Sequence, residues 1–279
     1  MIKIKMPSEK VKEVFNKCIS QVADKDLKIL LKSCEKELDA DEKLYIKAGE
    51  ENKLCEFPTK DKVNGVVSIE VMKKIYTYRM VGLKQPGRFY YNKLLNSVQI
   101  CPFCGVRDVA TLDHFLPKSK YATTVVTPAN LIPSCRDCNS NKDIHTASDL
   151  YDEVWHPYFD DFQGVRWLYC FLQSSEPLEI TFYIDTSKPD IKDEDKNKIN
   201  NSFHIFKLKT LYEIHALKEL NDIEIYMKKL RNEVDSLNVR EHLAWIYESN
   251  KIVNKNSWKT ALYDELKDNE WYINDYLLN

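Results

Sequence analysis

Two short cysteine spacings, Cys101/Cys104 and Cys135/Cys138, constrain this 279-residue chain more than any other feature. Each CxxC folds as a tight knuckle, and two knuckles offer four thiolates, the donor set of a tetrahedral Zn²⁺. The N-terminus, MIKIKMPSEKVKEVF, is basic but has no apolar core or small-residue cleavage site of the kind a secretory signal carries. Without that signal, paired CxxC motifs read as metal ligands rather than as a disulfide framework. Gly105, directly after the first pair, strengthens the zinc reading. A closed four-thiolate site holds a fold and performs no catalysis. The other cysteines (Cys18, Cys34, Cys55 and Cys170) are scattered through apolar or helical stretches and read as ordinary packed or surface thiols.

Length allows one large domain or two modest ones. No apolar run reaches the roughly 18 residues of a membrane span, so the expectation is a globular, cytoplasmic protein with no membrane partner. A net charge of −2 argues against a protein that coats nucleic acid by bulk electrostatics. The average hides a local excess: residues 84–145 carry eight basic and four acidic side chains, and the rest carry 33 against 39. An anionic partner is therefore expected to meet the middle of the chain.

The fold class expected is α+β and mainly helical. Residues 1–85 read as a helical N-terminal region. Val11, Val14, Phe15, Ile19 and Val22 fall on one face at 3.6-residue spacing, and Leu27, Leu30, Leu31 and Leu38 on a second. Residues 60–65 read as a polar loop, and Ser68 as the N-cap of a further helix. Residues 86–160 hold the paired cysteines among short apolar bursts. Residues 161–279 read as a β-hairpin, with strands in 165–172 and 178–184 joined by QSSEP, then helices from about 200 onward, including 238–249 and 256–277. The charge-dense stretch 185–198 reads as a long exposed loop.

The segment CPFCGVRDVATLDHFLPKSKYATTVVTPANLIPSCRDCNSNK, residues 101–142, carries more than a zinc ribbon needs. Val109–Leu112 can form a strand that ends at Asp113-His114. Asn130–Pro133 can form a second strand, and Ser134, with Asp137 three residues on, can cap a helix through CRDCNSNK. Asn139 and Lys142 fall three apart on one face of that helix. In LDHFLPKS, NLIPSC and CRDCNSNK, about 45 residues in all, the chain resembles the HNH endonucleases of the His-Me finger group, in the version braced by four cysteines around zinc. The resemblance implies a ββα-metal module embedded between helical segments, and cleavage of DNA with one catalytic Mg²⁺ or Mn²⁺ beside the structural Zn²⁺. It makes His114 the first H and Asn130 the N, which would fix the His114 ring by a hydrogen bond. Asn139 takes the third, metal-binding position, often a His, so this is an H-N-N variant. Asp113 and Asn139 would hold the ion. Chains of this size with helical flanks also resemble nuclease subunits of bacterial anti-phage systems such as Septu, which implies an ATPase partner.

Phosphodiester hydrolysis needs an activated water, in-line attack and compensation of charge on the leaving oxygen. A neutral His114 can accept the water's proton, and Asp113 and Asn139 supply oxygen donors suited to Mg²⁺ or Mn²⁺. In a strictly extended strand Asp113 and His114 point to opposite sides, so both serve one site only if the backbone twists there. Lys118, Lys120, Arg136 and Lys142 are the expected phosphate contacts. His156 is open between a second site histidine, a DNA contact and a packed structural residue; His145 is expected at the helix end. Two other functions stay open: a non-catalytic zinc module that binds nucleic acid or protein, and an RNA nuclease, because no residue here tests for a 2′-hydroxyl.

Overall fold

Apolar spacing produces three helices at the start of the chain: α1 (Val11–Ile19), α2 (Lys25–Lys32) and α3 (Glu35–Glu50). Val11, Val14, Phe15, Ile19 and Val22 are all buried, as their spacing predicts. Leu31 and Leu38 are fully buried on the second face, while Leu30 stays 39% exposed. Asp24 caps α2 by accepting from the Asp26 and Leu27 amides. No side chain of the Lys10 cap serves α1; Glu42 of α3 accepts from the Val11 amide at 2.9 Å, so one helix caps another. The computed structural model describes residues 1–175, 177–187 and 191–278.

Residues 60–65, expected as a loop, contain half of a small hairpin. Strand β1 (Lys62–Val63) pairs antiparallel with β2 (Val67–Ser68). Asn64 and Gly65 sit at φ +52° and +69°, and the Val66 amide donates to the Val63 carbonyl at 3.1 Å. Asn-Gly is the dipeptide that most readily takes two successive left-handed conformations, so the turn was written in the residues. Ser68 then occupies the N-cap of α4 (Ile69–Lys74), without a side-chain bond to the helix. The helix continues as a π-helical segment, Ile75–Met80, and after a turn comes α5 (Arg88–Leu95).

Strand β3 (Thr111–His114) pairs antiparallel with β4 (Leu131–Ser134), in the register Thr111↔Ser134 to His114↔Leu131, and α6 (Arg136–Lys142) follows directly. The helix cap is Cys135, whose Sγ accepts from the Cys138 amide, and not Ser134, which stays in the strand. The apolar core of this part joins Phe15, Leu31 and Leu38 to Leu112, Val125 and Leu131. The N-terminal helices and the two-stranded sheet thus share one core.

The chain divides into two compact units, Ile2–Asp160 and, with Met1, Asp161–Asn279. In the second, β5 (Leu168–Gln173) and β6 (Glu179–Ile184) form the expected antiparallel hairpin, from Leu168↔Ile184 to Gln173↔Glu179. The stretch 185–198 is not one long loop: helix α7 (Asp193–Ile205) begins inside it, while residues 188–190 lie outside the described residues. Asp193, Glu194 and Asp195 in its first turn oppose the positive end of the helix dipole, so charge density marks a helix start there. Helices α8 (Leu208–Glu233) and α9 (Ser236–Val253) follow. The single helix expected over 256–277 is broken into α10 (Trp258–Asp268) and α11 (Glu270–Asn274) at Asn269, which caps α11 through the Tyr272 amide. The fold is α+β and mainly helical, with small antiparallel sheets. Among the described residues no helix is long and apolar enough to cross a membrane.

Gly49, near the end of α3, is a packing requirement: a Cβ there would lie 2.2–2.6 Å from the Phe159 ring. Gly49→Ala is expected to destabilise the protein by about 1–3 kcal/mol, as overpacking does, read as a lowered thermal midpoint. An unchanged midpoint would show that the Phe159 ring yields freely.

Candidate functional site

Residues 101–142 are organised around four buried sulfur atoms. The Sγ atoms of Cys101, Cys104, Cys135 and Cys138 all lie within 4.8 Å of one another, which suits a tetrahedral Zn²⁺ with bonds of about 2.3 Å. Gly105 turns the first knuckle at φ +68°, a conformation that penalises any Cβ, and its amide donates to the Cys101 carbonyl at 2.8 Å. The second knuckle is the first turn of α6. Amide donors point at the sulfurs, from Arg107 to Cys104 and from Cys138 to Cys135, each at 3.4 Å, as stabilised thiolates require. Arg107 and Asp137 join the two knuckles by a 2.9 Å ion pair.

Beside this cluster, Asp113 and His114 at the end of β3 line an open cleft of about 600 Å³, together with Tyr76, Lys118 and Asn139. Both residues reach the same cleft although they are neighbours on a strand. His114 is 7% exposed, and its Nε2 lies 2.9 Å from the Val125 carbonyl. A carbonyl only accepts, so Nε2 carries the proton and Nδ1 carries the lone pair. Burial, together with the nearby Lys118 charge, pushes the imidazole down to about 3, so the ring is neutral near pH 7. Tyr76 packs edge-on against it, 4.5 Å between centroids.

Asp113 is 3% exposed, and burial pushes its carboxyl up to about 6 even though Lys142 opposes the shift. Lys142 Nζ lies 3.3 Å from Oδ2 and 3.5 Å from Oδ1, and donates to the His114 carbonyl at 3.0 Å. Oδ2 nevertheless accepts no aligned hydrogen bond. This corrects one expectation. Lys142 is 2% exposed and its charge is matched by Asp113, so it cannot also reach a phosphate on the surface.

The remaining expected phosphate contacts differ among themselves. Lys118 is half-buried in the cleft, with Nζ 5.0 Å above the Tyr76 ring. Lys120 is exposed and donates to Thr146 Oγ1 at 2.7 Å; Arg136 is exposed at the start of α6. Asn139 is half-buried on the cleft wall. Asn130 is fully buried but does not hold the His114 ring. Its Oδ1 accepts from the Leu116 amide at 2.7 Å, and its Nδ2 donates to the Leu116 carbonyl at 3.0 Å and to the Thr124 carbonyl at 3.2 Å. It clamps the loop after β3 to the segment that carries Val125, and Val125 holds the ring.

His156 is a packed residue, 1% exposed. Its Nδ1 accepts from the Tyr158 amide at 3.2 Å, Nε2 lies 3.0 Å from the Tyr45 hydroxyl, and the ring packs tilted against Phe115, 4.1 Å between centroids. His145 follows α6 and bonds the Asp152 carbonyl. Tyr76 and the Val125 carbonyl were invisible to sequence reasoning because both reach His114 through tertiary packing. The pairing of Lys142 had a faint signal in its place one turn after Asn139.

The chain is 30% identical over 214 residues to protein Ea31 of Escherichia phage lambda, an alignment covering 71% of this chain and 72% of that relative. No protein-family profile and no solved structure matches it.

Replacing Cys135 by Ser removes one of the four thiolates. The expected result is loss of bound zinc, measured by elemental analysis, with a cooperative loss of structure in residues 101–142 because metal binding and folding are coupled there. Full zinc retention by a Cys135→Ser chain would contradict the four-thiolate assignment.

Proposed function

The chain belongs to the family of the Escherichia phage lambda protein Ea31, and we propose that its residues 101–142 form a zinc-braced HNH-type nuclease module that hydrolyses DNA phosphodiester bonds. The observation that carries this reading is the state of His114. Its Nε2 proton is committed to Val125, so Nδ1 is left as the basic nitrogen of a neutral ring on a cleft wall. That is what a general base needs: a fixed tautomer, a fixed ring and a free lone pair. Tyr76 restricts the ring from the side. Burial makes His114 a weak base, and the negative charge of an entering phosphate strengthens it by offsetting Lys118.

Asp113 and Asn139, both on the same cleft, would hold a Mg²⁺ or Mn²⁺; such ions are commonly bound by one or two protein oxygens plus water and phosphate. The unaligned Oδ2 of Asp113 is the atom suited to it. When bound, the ion would compensate charge on the phosphate and the leaving oxygen. Lys118 then contacts the phosphate from the cleft and Arg136 and Lys120 from the exposed rim. RNA fits the same chemistry. The setting implied by the resemblance is defence against phage beside an ATPase subunit, and the lambda relative makes a phage genome another setting for such a nuclease.

A non-catalytic zinc module is favoured by one observation, the Lys142–Asp113 ion pair, which supplies Asp113 with a counter-charge without any metal. The two readings part in one assay, cleavage of supercoiled and linear DNA with Mg²⁺ or Mn²⁺. Wild type is expected to nick in a metal-dependent way and His114→Ala to lose at least about 100-fold in rate, the usual contribution of a general base, with zinc content equal in both proteins. Equal cleavage by both, or none by the folded wild type with and without co-purified partners, would overturn the nuclease reading.

A further inference from the structure

The cleft has a second wall that the zinc-braced segment does not supply. It comes from the hairpin of the π-helical segment Ile75–Met80 and α5, which contributes Tyr76, Thr77, Val81 and Tyr91 to the lining. The hairpin is tightly closed: a Cβ on Gly87 would lie 2.5 Å from the Arg79 carbonyl and 2.6 Å from Cys18 Sγ, and Arg88 Nη1 donates to the Val81 carbonyl at 2.6 Å. A π-helical turn of this kind is rare overall and frequent at functional sites.

The charge of this wall is one-sided. From Val71 to Arg107 the chain has seven basic residues and no acidic one, whereas at its overall frequency of 43 acids in 279 residues about six would be expected there. Three of the seven are neutralised from outside the stretch: Lys73 by Glu70, Lys93 by Glu9 and Arg107 by Asp137. Among the described residues, Lys74, Arg79, Lys84 and Arg88 pair with no carboxylate. In a protein of net charge −2, four uncompensated cations, three on the hairpin and Lys74 directly before it, are a local anion-binding field.

Aromatic rings are interleaved with these cations. Tyr91 and Tyr76 line the cleft, with Arg88 4.5 Å over the first ring and Lys118 5.0 Å over the second. Outside it, the hairpin exposes Tyr78 to 66% and Phe89 to 61%. Exposed rings among cations serve stacked bases, and a base can stack on a side chain only when it is out of the duplex. A long duplex, by contrast, asks for an extended basic surface that residues outside this stretch, 34 basic against 43 acidic beyond 71–107, do not provide.

We infer that the Ile75–Leu95 hairpin is a binding track for unpaired nucleic acid, which delivers single-stranded or locally opened strands to the His114 cleft. The inference rests on the nuclease reading of that cleft, and it names the substrate class. Tyr78 and Phe89 stack bases, while Lys74, Arg79 and Lys84 follow the phosphates.

The test is equilibrium binding of the full His114→Ala chain, chosen because its cleavage is expected to be suppressed, to fluorescent oligonucleotides of one sequence: single-stranded DNA, single-stranded RNA and blunt duplex DNA. Single strands are expected to bind at least about tenfold more tightly than duplex. The double variant Tyr78→Ala/Phe89→Ala is expected to lose roughly tenfold or more for single strands, the usual effect of removing a stacking ring, and little for duplex. The triple variant Lys74→Gln/Arg79→Gln/Lys84→Gln is expected to weaken binding and to flatten the slope of log affinity against log salt by about 0.7 for each phosphate no longer neutralised. Zinc content and circular dichroism identify variants that misfold; for those, Tyr78→Leu/Phe89→Leu is used, which keeps bulk and removes the ring. Duplex binding as tight as single-strand binding, or hairpin variants with unchanged affinity, would overturn the track. Selective single-strand binding by a wild type that cleaves nothing would sink the nuclease reading and leave the track standing; cleavage that the hairpin variants leave intact would do the reverse. Comparison of the DNA and RNA arms decides which strand it carries.

Discussion

Four buried sulfurs within 4.8 Å of one another set the terms on which residues 101–142 fold. Thiolates that close repel one another unless a cation sits among them, and the site can hold zinc in the geometry that ion prefers. The rest of the segment hangs on this cluster. The second knuckle is the first turn of α6, so whatever fixes the sulfurs also fixes where Asn139 and Lys142 stand. The first knuckle leads into β3, and so fixes Asp113 and His114. A metal held by the four sulfurs would thus also brace the elements that carry the cleft residues, without taking part in the cleft's chemistry.

The cleft also depends on the N-terminal helices. Leu112, Val125 and Leu131 belong to the same core as Phe15, Leu31 and Leu38, so the strand that carries His114 is packed against α1–α3. That packing is what dries the site, and desolvation is the main cause of the shifts at both Asp113 and His114. Removing a carboxylate and an imidazole from water is costly. The structure offsets part of that cost by burying Lys142 against Asp113 and by giving the His114 ring a carbonyl partner. A polar cluster this deep is a poor device for stability alone. It is well suited to presenting one lone pair and one carboxylate oxygen to a cleft.

Much of this was legible in the residues. The CxxC pairs announced the sulfur cluster, the apolar bursts located β3 and β4, and the helical faces of Val11–Val22 matched their burial. What escaped was set by tertiary contact. A short side chain at 134 with an acid at 137 looks like a capping box, but Ser134 stays in β4, Cys135 stands at the helix start, and its sulfur takes the cap. Lys142 looks like a surface cation until α6 is laid against β3. Asn130 looks like a partner for the histidine ring because the two serve one site, yet its amide spans the loop that holds the ring's true partner. Tyr76 lies 38 positions before His114 and carries no periodic mark. The Asn64-Gly65 turn, in contrast, was a readable signal, and the charged run before α7 was a helix start as much as a loop.

The central claim is that Asp113 and Asn139 present oxygens to a catalytic divalent ion beside His114. Its most direct test is Mn²⁺ binding to the zinc-loaded chain, followed by electron paramagnetic resonance. The account predicts one bound Mn²⁺ in wild type, weakened at least about tenfold in Asp113→Asn, with zinc content unchanged. An identical Mn²⁺ signal in Asp113→Asn, or no bound Mn²⁺ in a zinc-loaded wild type even with oligonucleotide present, would contradict it.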